Sequence, residues 1–267
     1  MVQKGGLRSV RKDEPSAHRN ATYRRGAGTV KRAFLYSLII LTQLLSGLPI
    51  LYLFYFLFFQ KEGKGGALDI VFNATLFVAF AAIHSILAHD FARKFMAKLV
   101  GNDYVRTVYV FIAGITLSLM LYFWRPISGT LWNTEGVLYW VLSVLYLACV
   151  VAVFSTTFFV DTAHYLGIRT LMRSMRNRPQ KPDVLSTKGP YAYCRHPMYL
   201  FQIFAFWLGP VMTYGRLEFA CLATIYILMG TYHEERSLRK ELGPVYDIYR
   251  ANVPKWIPRL KPWRYQR

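Results

Sequence analysis

The sequence predicts an all-α fold, a polytopic integral membrane protein of about six transmembrane helices, and three observations carry the prediction. First, 54% of the 267 residues are hydrophobic and 16% aromatic, with a mean hydropathy of +0.23, more apolar surface than one soluble domain readily buries. Second, apolar runs recur at roughly 33–59, 68–88, 105–124, 136–160, 197–213 and 217–233, each near the ~20 residues a helix needs to cross the hydrocarbon core. Third, the formal charge of +19 is clustered: nine Lys/Arg lie from Lys4 to Arg32 and nine more from Arg236 to Arg267. Between them the connections alternate between basic and nearly neutral, which puts both termini in the cytoplasm beside anionic headgroups. The membrane would be the plasma membrane of a prokaryote or the endoplasmic reticulum of a eukaryote. The same charge could serve a nucleic acid, but the clusters flank apolar spans and no groove-reading motif is visible, so nucleic acid is set aside.

Taken in order, residues 1–32 are rich in Lys, Arg, Gly and Ser with scarcely an apolar run, and are expected to form a disordered basic tail. The first apolar run starts after Arg32 and is too long for a signal peptide, so it is expected to stay as a span. Residues 33–160 form the N-terminal group of helices, with Trp124, Trp132, Tyr139 and Trp140 expected in an interfacial belt. Residues 161–267 form a C-terminal region. It opens with a basic amphipathic helix, in which Leu166, Leu171, Met172 and Met175 alternate with Arg169, Arg173 and Arg176. Its two apolar segments, joined by Gly209-Pro210 and Gly215, are either the fifth and sixth crossings or a tilted helical hairpin. The widely spaced Cys149, Cys194 and Cys221 suggest neither a disulfide framework nor a metal site.

The chemistry is concentrated near the C-terminus. The loop from Asp183 to Tyr199 is dense in polar, Gly and Pro residues at the mouth of a span, where irregular backbone is tolerated only under protein or beside water. Pro197 suits a first helical turn, so Arg195 and His196 would stand at a helix entrance that favours an anion. The last apolar segment runs into Glu234-Glu235, carboxylates that the helix dipole opposes and that therefore call for a cation. If the two ends meet, they could grip both charges of a zwitterion such as S-adenosyl-L-methionine. A purely structural ion-pair network would use the same residues.

The ordered series Gly189-Pro190-Tyr191, Arg195-His196-Pro197-Met198-Tyr199, Glu234-Glu235, Leu242-Gly243, Tyr246, Tyr249 and Val253-Pro254 resembles the C-terminal signature of the isoprenylcysteine carboxyl methyltransferase superfamily. Upstream, His84-Ser85, Arg106, Tyr109, Trp124-Arg125-Pro126 and Gly167-Ile168-Arg169 are most similar to the methanethiol S-methyltransferases and the related denitrification-associated, NnrU-like membrane proteins. The resemblance implies an S-adenosyl-L-methionine site on the cytoplasmic side, made by Asp183, Val184, Leu185, Ser186, Tyr191, His196, Pro197, Met198, Tyr199 and Glu234. Arg195 and Glu235 either join it or hold the motif together.

Prenylcysteine enzymes carry an arginine one turn before the first motif glutamate, where this chain has Gly230, which weighs against a prenylcysteine carboxylate. The thiol enzymes carry an Asn-His pair and an Asp before the Gly-hydrophobic-Arg element, where this chain has Asp161, Thr162 and His164. The expected acceptor is a small or lipophilic thiol. His84 and His164 are the candidate bases, because a histidine within or beside a span is a functional candidate by default. A lipid amine or prenylcysteine carboxylate as acceptor, or a non-enzymatic accessory or transport role, are the competing readings. No metal is expected, and the sequence is silent on oligomeric state.

Overall fold

The computed structural model describes residues 15–176, 178–179 and 185–264. In chain order the helices α1 (Pro15–Phe59), α2 (Ala67–Ala88), α3 (Asp90–Val100) and α4 (Val105–Phe123) lead to a short strand β1 (Thr130–Asn133). Then come α5 (Gly136–Thr156), the short α6 (Thr162–Tyr165) and α7 (Ile168–Met175), α8 (Pro197–Trp207), strand β2 (Val211–Thr213), α9 (Tyr214–Leu242) and α10 (Pro244–Asn252). The chain divides into two compact units within α1, at Leu41, and the packing described below lies in the second.

Four segments are long and apolar enough to cross a bilayer: Tyr36–Phe59, Ala67–Ala88, Val105–Phe123 and Gly136–Phe159. They match the first four expected spans. The fifth expected span is instead an 11-residue helix, α8. At about 16 Å it covers half the hydrocarbon core, because Gly209-Pro210 ends it and the chain turns into β2. The sixth lies in α9, whose 29 residues run well past the apolar stretch into charged turns. The backbone is already helical from Pro15, where a disordered tail through residue 32 was expected. Ala17, Ala21, Arg24, Arg25 and Ala27 are good helix formers, and extending an existing helix costs far less than nucleating one. Residues 1–14 lie outside the described residues.

The exposed surface of the spans is apolar. α2 leaves Leu68, Val71, Val78 and Ile86 outside, and α5 leaves Val137, Trp140, Val144, Leu147 and Val151 outside. A surface of this kind is stable facing lipid. The interior is packed by aromatic contacts: Phe219 meets Phe77, Trp124 and Phe206 at centroid distances of 5.8, 5.6 and 5.4 Å. Trp124 therefore belongs to the core rather than to an interfacial belt, whereas Trp140 is 68% exposed, as a belt residue should be.

α2 packs against α4 and α9, and α8 packs against α5 and α9. At one end of α8, β1 and β2 pair antiparallel, Thr130 opposite Thr213 and Asn133 opposite Val211. At its other end, His196 meets Glu235 of α9, and Tyr246 and Tyr249 of α10, with Val253 after it, pack against Leu238 and Leu242 of α9. The site forms at this second end.

Candidate functional site

Pro197 occupies the first turn of α8, where a missing N–H is harmless, and so fixes where the helix starts. The two residues before it are clamped by the C-terminal segment: the Arg195 N–H donates to Pro254 O at 2.9 Å and the His196 N–H to Lys255 O at 3.3 Å. The Arg195 side chain donates through Nε to Glu235 Oε1 (2.9 Å) and through Nη1 to Arg250 O (3.0 Å) and Val253 O (2.5 Å). His196 Nε2 lies 3.0 Å from the same Glu235 oxygen, and since a carboxylate only accepts, Nε2 donates. One carboxylate thus holds the start of α8 to the end of α9.

The two adjacent glutamates have opposite electrostatic states. Burial would push Glu235 up, but the hydrogen bonds from His196 and Arg195 outweigh it and hold the carboxyl at about 2. For Glu234 burial wins, and the carboxyl is pushed up against the pull of nearby His196, 4.0 Å away, and of a hydrogen bond with Tyr199. A carboxyl in that state is stabilised by an incoming cation.

Glu234 faces a cavity of about 370 Å³. Its α9 wall is Glu234, Ser237, Leu238, Glu241 and Leu242, positions i, i+3, i+4, i+7 and i+8 of one helix face. Leu185, Ser186 and Tyr191 line it from the loop, Arg195 and His196 from the α8 entrance, and Tyr246 and Tyr249 from α10. The loop is shaped by Gly189, whose φ of +57° suits glycine and whose position leaves no room for a Cβ against the Phe159 ring. Ser186 Oγ donates to Phe159 O, and Tyr249 Oη to Tyr191 O at 2.7 Å. Tyr246 Oη is buried with no hydrogen-bond partner among the described residues, and burial pushes its hydroxyl up from its ordinary value. The remaining wall comes from Arg93 on α3, Arg106 on α4, and Asp161, His164 and Arg169 around α6 and α7. There Arg106 Nη1 lies 3.2 Å from His164 Nε2, Asp161 Oδ1 accepts from the His164 N–H at 3.0 Å, and Asp161 pairs with Arg169.

The structure therefore brings Leu185, Ser186, Tyr191, Arg195, His196, Glu234 and His164 onto one cavity. Asp183 and Val184 lie outside the described residues. Pro197, Met198 and Tyr199 stand behind the wall: Pro197 starts the helix, Met198 packs on the main core, and Tyr199 hydrogen-bonds Glu234. Glu235 also stands behind it, as a strut. His84 is away from the cavity, with its ring nitrogens 2.9 Å from Tyr226 Oη and 2.8 Å from Tyr109 Oη. Cys194, 1% exposed and with its thiol pushed up by burial, is not poised as a nucleophile. Sequence reasoning missed Ser237 and Glu241, which extending the Glu234 helix face by one and two turns would have found, and Arg93, which carried no local signal.

Helices that can cross a bilayer, an apolar outer surface and a charged cavity at the helix ends together define an integral membrane protein with a polar cavity at one end of its helices. Residues 72–215 match the family described as NnrU protein. Methanethiol S-methyltransferase 2 of Bradyrhizobium diazoefficiens is 35% identical over 72% of this chain and 74% of its own length. The methanethiol S-methyltransferase of Mycobacterium tuberculosis is 32% identical over 71% and 78%, and nurim of Bos taurus 24% identical over 65% and 70%. No solved structure matches the chain. The chain belongs to the NnrU family, whose relatives here include several methanethiol S-methyltransferases.

Proposed function

We propose that the chain is a membrane methyltransferase that moves a methyl group from S-adenosylmethionine to a small or lipophilic thiol, with the cavity as its cofactor site. The observation that carries the reading is Glu234. It is a carboxyl raised by burial and open to a cavity, in a chain whose relatives named as methanethiol S-methyltransferases cover 71% or more of it. The cofactor, when bound, supplies a methyl group on a positively charged sulfur. The residues fit such a ligand: Glu234 suits an ammonium or sulfonium, and the Tyr246 hydroxyl, which has no partner among the described residues, suits its polar groups.

The protein's own part in the transfer is alignment and exclusion of water. Glu235, Arg195 and His196 fix the start of α8 against α9, so that Glu234 is presented at a constant position. Leu185, Leu238 and Leu242 give the cavity an apolar side. In this reading α8 and α9 form a hairpin inserted beside the four crossing helices, with the cavity and both termini on the cytoplasmic face, where the basic segments meet anionic lipid.

Calorimetric titration of the purified protein with S-adenosylmethionine and S-adenosylhomocysteine tests the cofactor, and incubation with labelled cofactor and a panel of thiols, prenylcysteine and phospholipid tests the acceptor. Binding of both nucleosides and methylation of a thiol are expected. Binding of neither would instead favour a non-enzymatic accessory or transport role.

A further inference from the structure

Helix α3 is tied to the bilayer surface by the chain on both sides of it. His89 is at once the C-terminal cap of α2 and the N-terminal cap of α3, in extended backbone that ends the one helix and starts the other. At the far end Gly101, with φ of +84°, stops α3, and residues 101–104 lead directly into α4. Both α2 and α4 are long and apolar enough to cross a bilayer, so α3 lies where they leave it. Its 11 residues reach about 16 Å, too short to cross.

The sides of α3 differ in what they meet. Ala92 and Met96 are buried where the helix packs on α2 and α4. Phe91, Phe95 and Leu99, spaced i, i+4 and i+8 on one face, are instead 76%, 56% and 69% exposed. Exposed apolar surface also runs down α2 through Ile83 and Ile86 to within a turn of His89, so the face of α3 extends a surface already suited to lipid. Lys94 and Lys98 follow Phe91 and Phe95 by three positions, which places two exposed ammonium groups along the edge of that face. Arg93 is two positions from each phenylalanine, on the opposite side of the helix, where it pairs with Asp90 at 3.8 Å and lines the cavity.

We infer that α3 is an anchor for an anionic lipid leaflet: Phe91, Phe95 and Leu99 sink into the boundary between headgroups and acyl chains, and Lys94 and Lys98 pair with headgroup phosphates. Apolar side chains below and lysines reaching back to the phosphates are what hold a helix in the plane of an interface. Arg93 rides on the same short helix, so seating α3 in the leaflet sets one wall of the cavity at headgroup level. The inference stands on the crossing helices and on the faces of α3, and holds for any ligand the cavity takes.

Fluorescence quenching of the full chain in vesicles of phosphatidylcholine and phosphatidylglycerol tests this, with the emission of the six native tryptophans subtracted by means of the unsubstituted protein. The added signal of Phe95→Trp should be quenched by lipids brominated high on the acyl chain, less by lipids brominated near the chain end, and little by aqueous acrylamide. Quenching by acrylamide and not by lipid would put this face in water. Quenching by neither would mean that protein covers it, a second copy of this chain included, and either result overturns the inference. Arg93→Trp should show the reverse pattern, and lipid quenching equal to that of Phe95→Trp would overturn the assignment of faces. Both positions are exposed, so an unchanged unfolding midpoint is expected in each variant. At equal mole fraction and low salt, brominated phosphatidylglycerol should quench Phe95→Trp about two- to fivefold more than brominated phosphatidylcholine, because lysines at the surface gather anionic lipid. Lys94→Gln with Lys98→Gln should bring the two lipids level. Equal quenching before the lysines are changed would overturn the choice of an anionic leaflet, and a preference that survives their loss would overturn the role given to them.

Discussion

Two arginines, one at each end of α8, show how this scaffold separates structure from chemistry. Arg216, 1% exposed at the ribbon end, donates to backbone carbonyls, Phe206 O (3.3 Å), Leu57 O (2.9 Å), Val211 O (3.4 Å), Ala205 O (3.1 Å) and Leu208 O (2.6 Å), and lies 5.3 Å from the centre of the Tyr146 ring. Three of these belong to the C-terminal end of α8, where carbonyls lack intrahelical partners and the helix dipole is negative. Gly209 makes room for the guanidinium, since a Cβ there would lie 2.2 Å from Arg216 Nη1. Arg195, at the other end, shares its guanidinium between Glu235 and carbonyls and sits on the wall of a cavity that also holds a raised carboxyl and a hydroxyl with no partner among the described residues. The ribbon end closes the fold with a satisfied cation, and the cavity end keeps polar groups that a ligand would complete.

The sharpest way to break this contrast is to remove Arg216. Arg216→Met leaves the buried carbonyls of α8 without their donor, so a loss of at least about 3 kcal/mol is expected, read as a lower thermal unfolding midpoint in detergent or failure to accumulate in membranes. Arg216→Lys should recover little, because one ammonium cannot reach carbonyls spread over a planar fork. A stable Arg216→Met protein would mean that the carbonyls find other partners and that this end is not closed by the cation.

Glu234→Gln separates function from stability. Affinity for S-adenosylhomocysteine should fall about 30-fold, within the range for losing a charge-assisted contact. Unfolding of the ligand-free protein at neutral pH should move up, not down. A carboxyl with a raised folded pKa favours the protonated form, so its ionisation removes stability as pH rises from the ordinary value of 4.5 through the raised one, and glutamine does not ionise. Ligand affinity should rise with pH over the same interval in the wild type and stay flat in the variant.

Glu235→Gln should behave in the reverse manner. The folded pKa of about 2 lies below the ordinary 4.5, so the ionised carboxylate contributes stability that is fully present above 4.5 and lost as pH falls toward 2. After discounting for partial solvent screening, about 2 kcal/mol is expected at neutral pH. Chemical denaturation at several pH values should show the gap between variant and wild type closing below pH 4.5. A constant gap would place the role of Glu235 in packing rather than charge.

The sequence carried these two ends to different degrees. Four spans were legible because about twenty apolar residues in a row have one economical solution, and Glu234 and His196 were legible because charge at a helix end needs a partner. The short length of α8 was less so, since the apolar run continues through Gly209-Pro210 and hydropathy does not register where backbone bends. The role of Arg216 was not legible, because nothing local announces five carbonyls supplied by α1, α8 and the strand after it. The amphipathic α3 was within reach: Phe91, Phe95 and Leu99 recur every four residues and are all exposed, the spacing of a helix lying in the headgroup region. Arg106 and His164 were each noted from the sequence, but the contact between them exists only once α4 and α6 are brought together.

The smallest expected effect tests the most specific part of the contrast. Tyr246 is 1% exposed, and its hydroxyl has no partner among the described residues although the residue lines the cavity. Tyr246→Phe removes a polar group that the ligand-free fold leaves unsatisfied, so the ligand-free protein should be unchanged or more stable by up to about 1 kcal/mol. If the ligand is the missing partner, the same substitution should weaken S-adenosylhomocysteine binding about five- to tenfold, the effect of one lost hydrogen bond. Unaltered affinity with raised stability would show that water, not the cofactor, satisfies Tyr246, and would shift the ligand along the cavity toward Ser186 and Tyr191. A loss of stability would show that the hydroxyl already has a partner in the fold, and that the cavity end is more nearly closed than its geometry suggests.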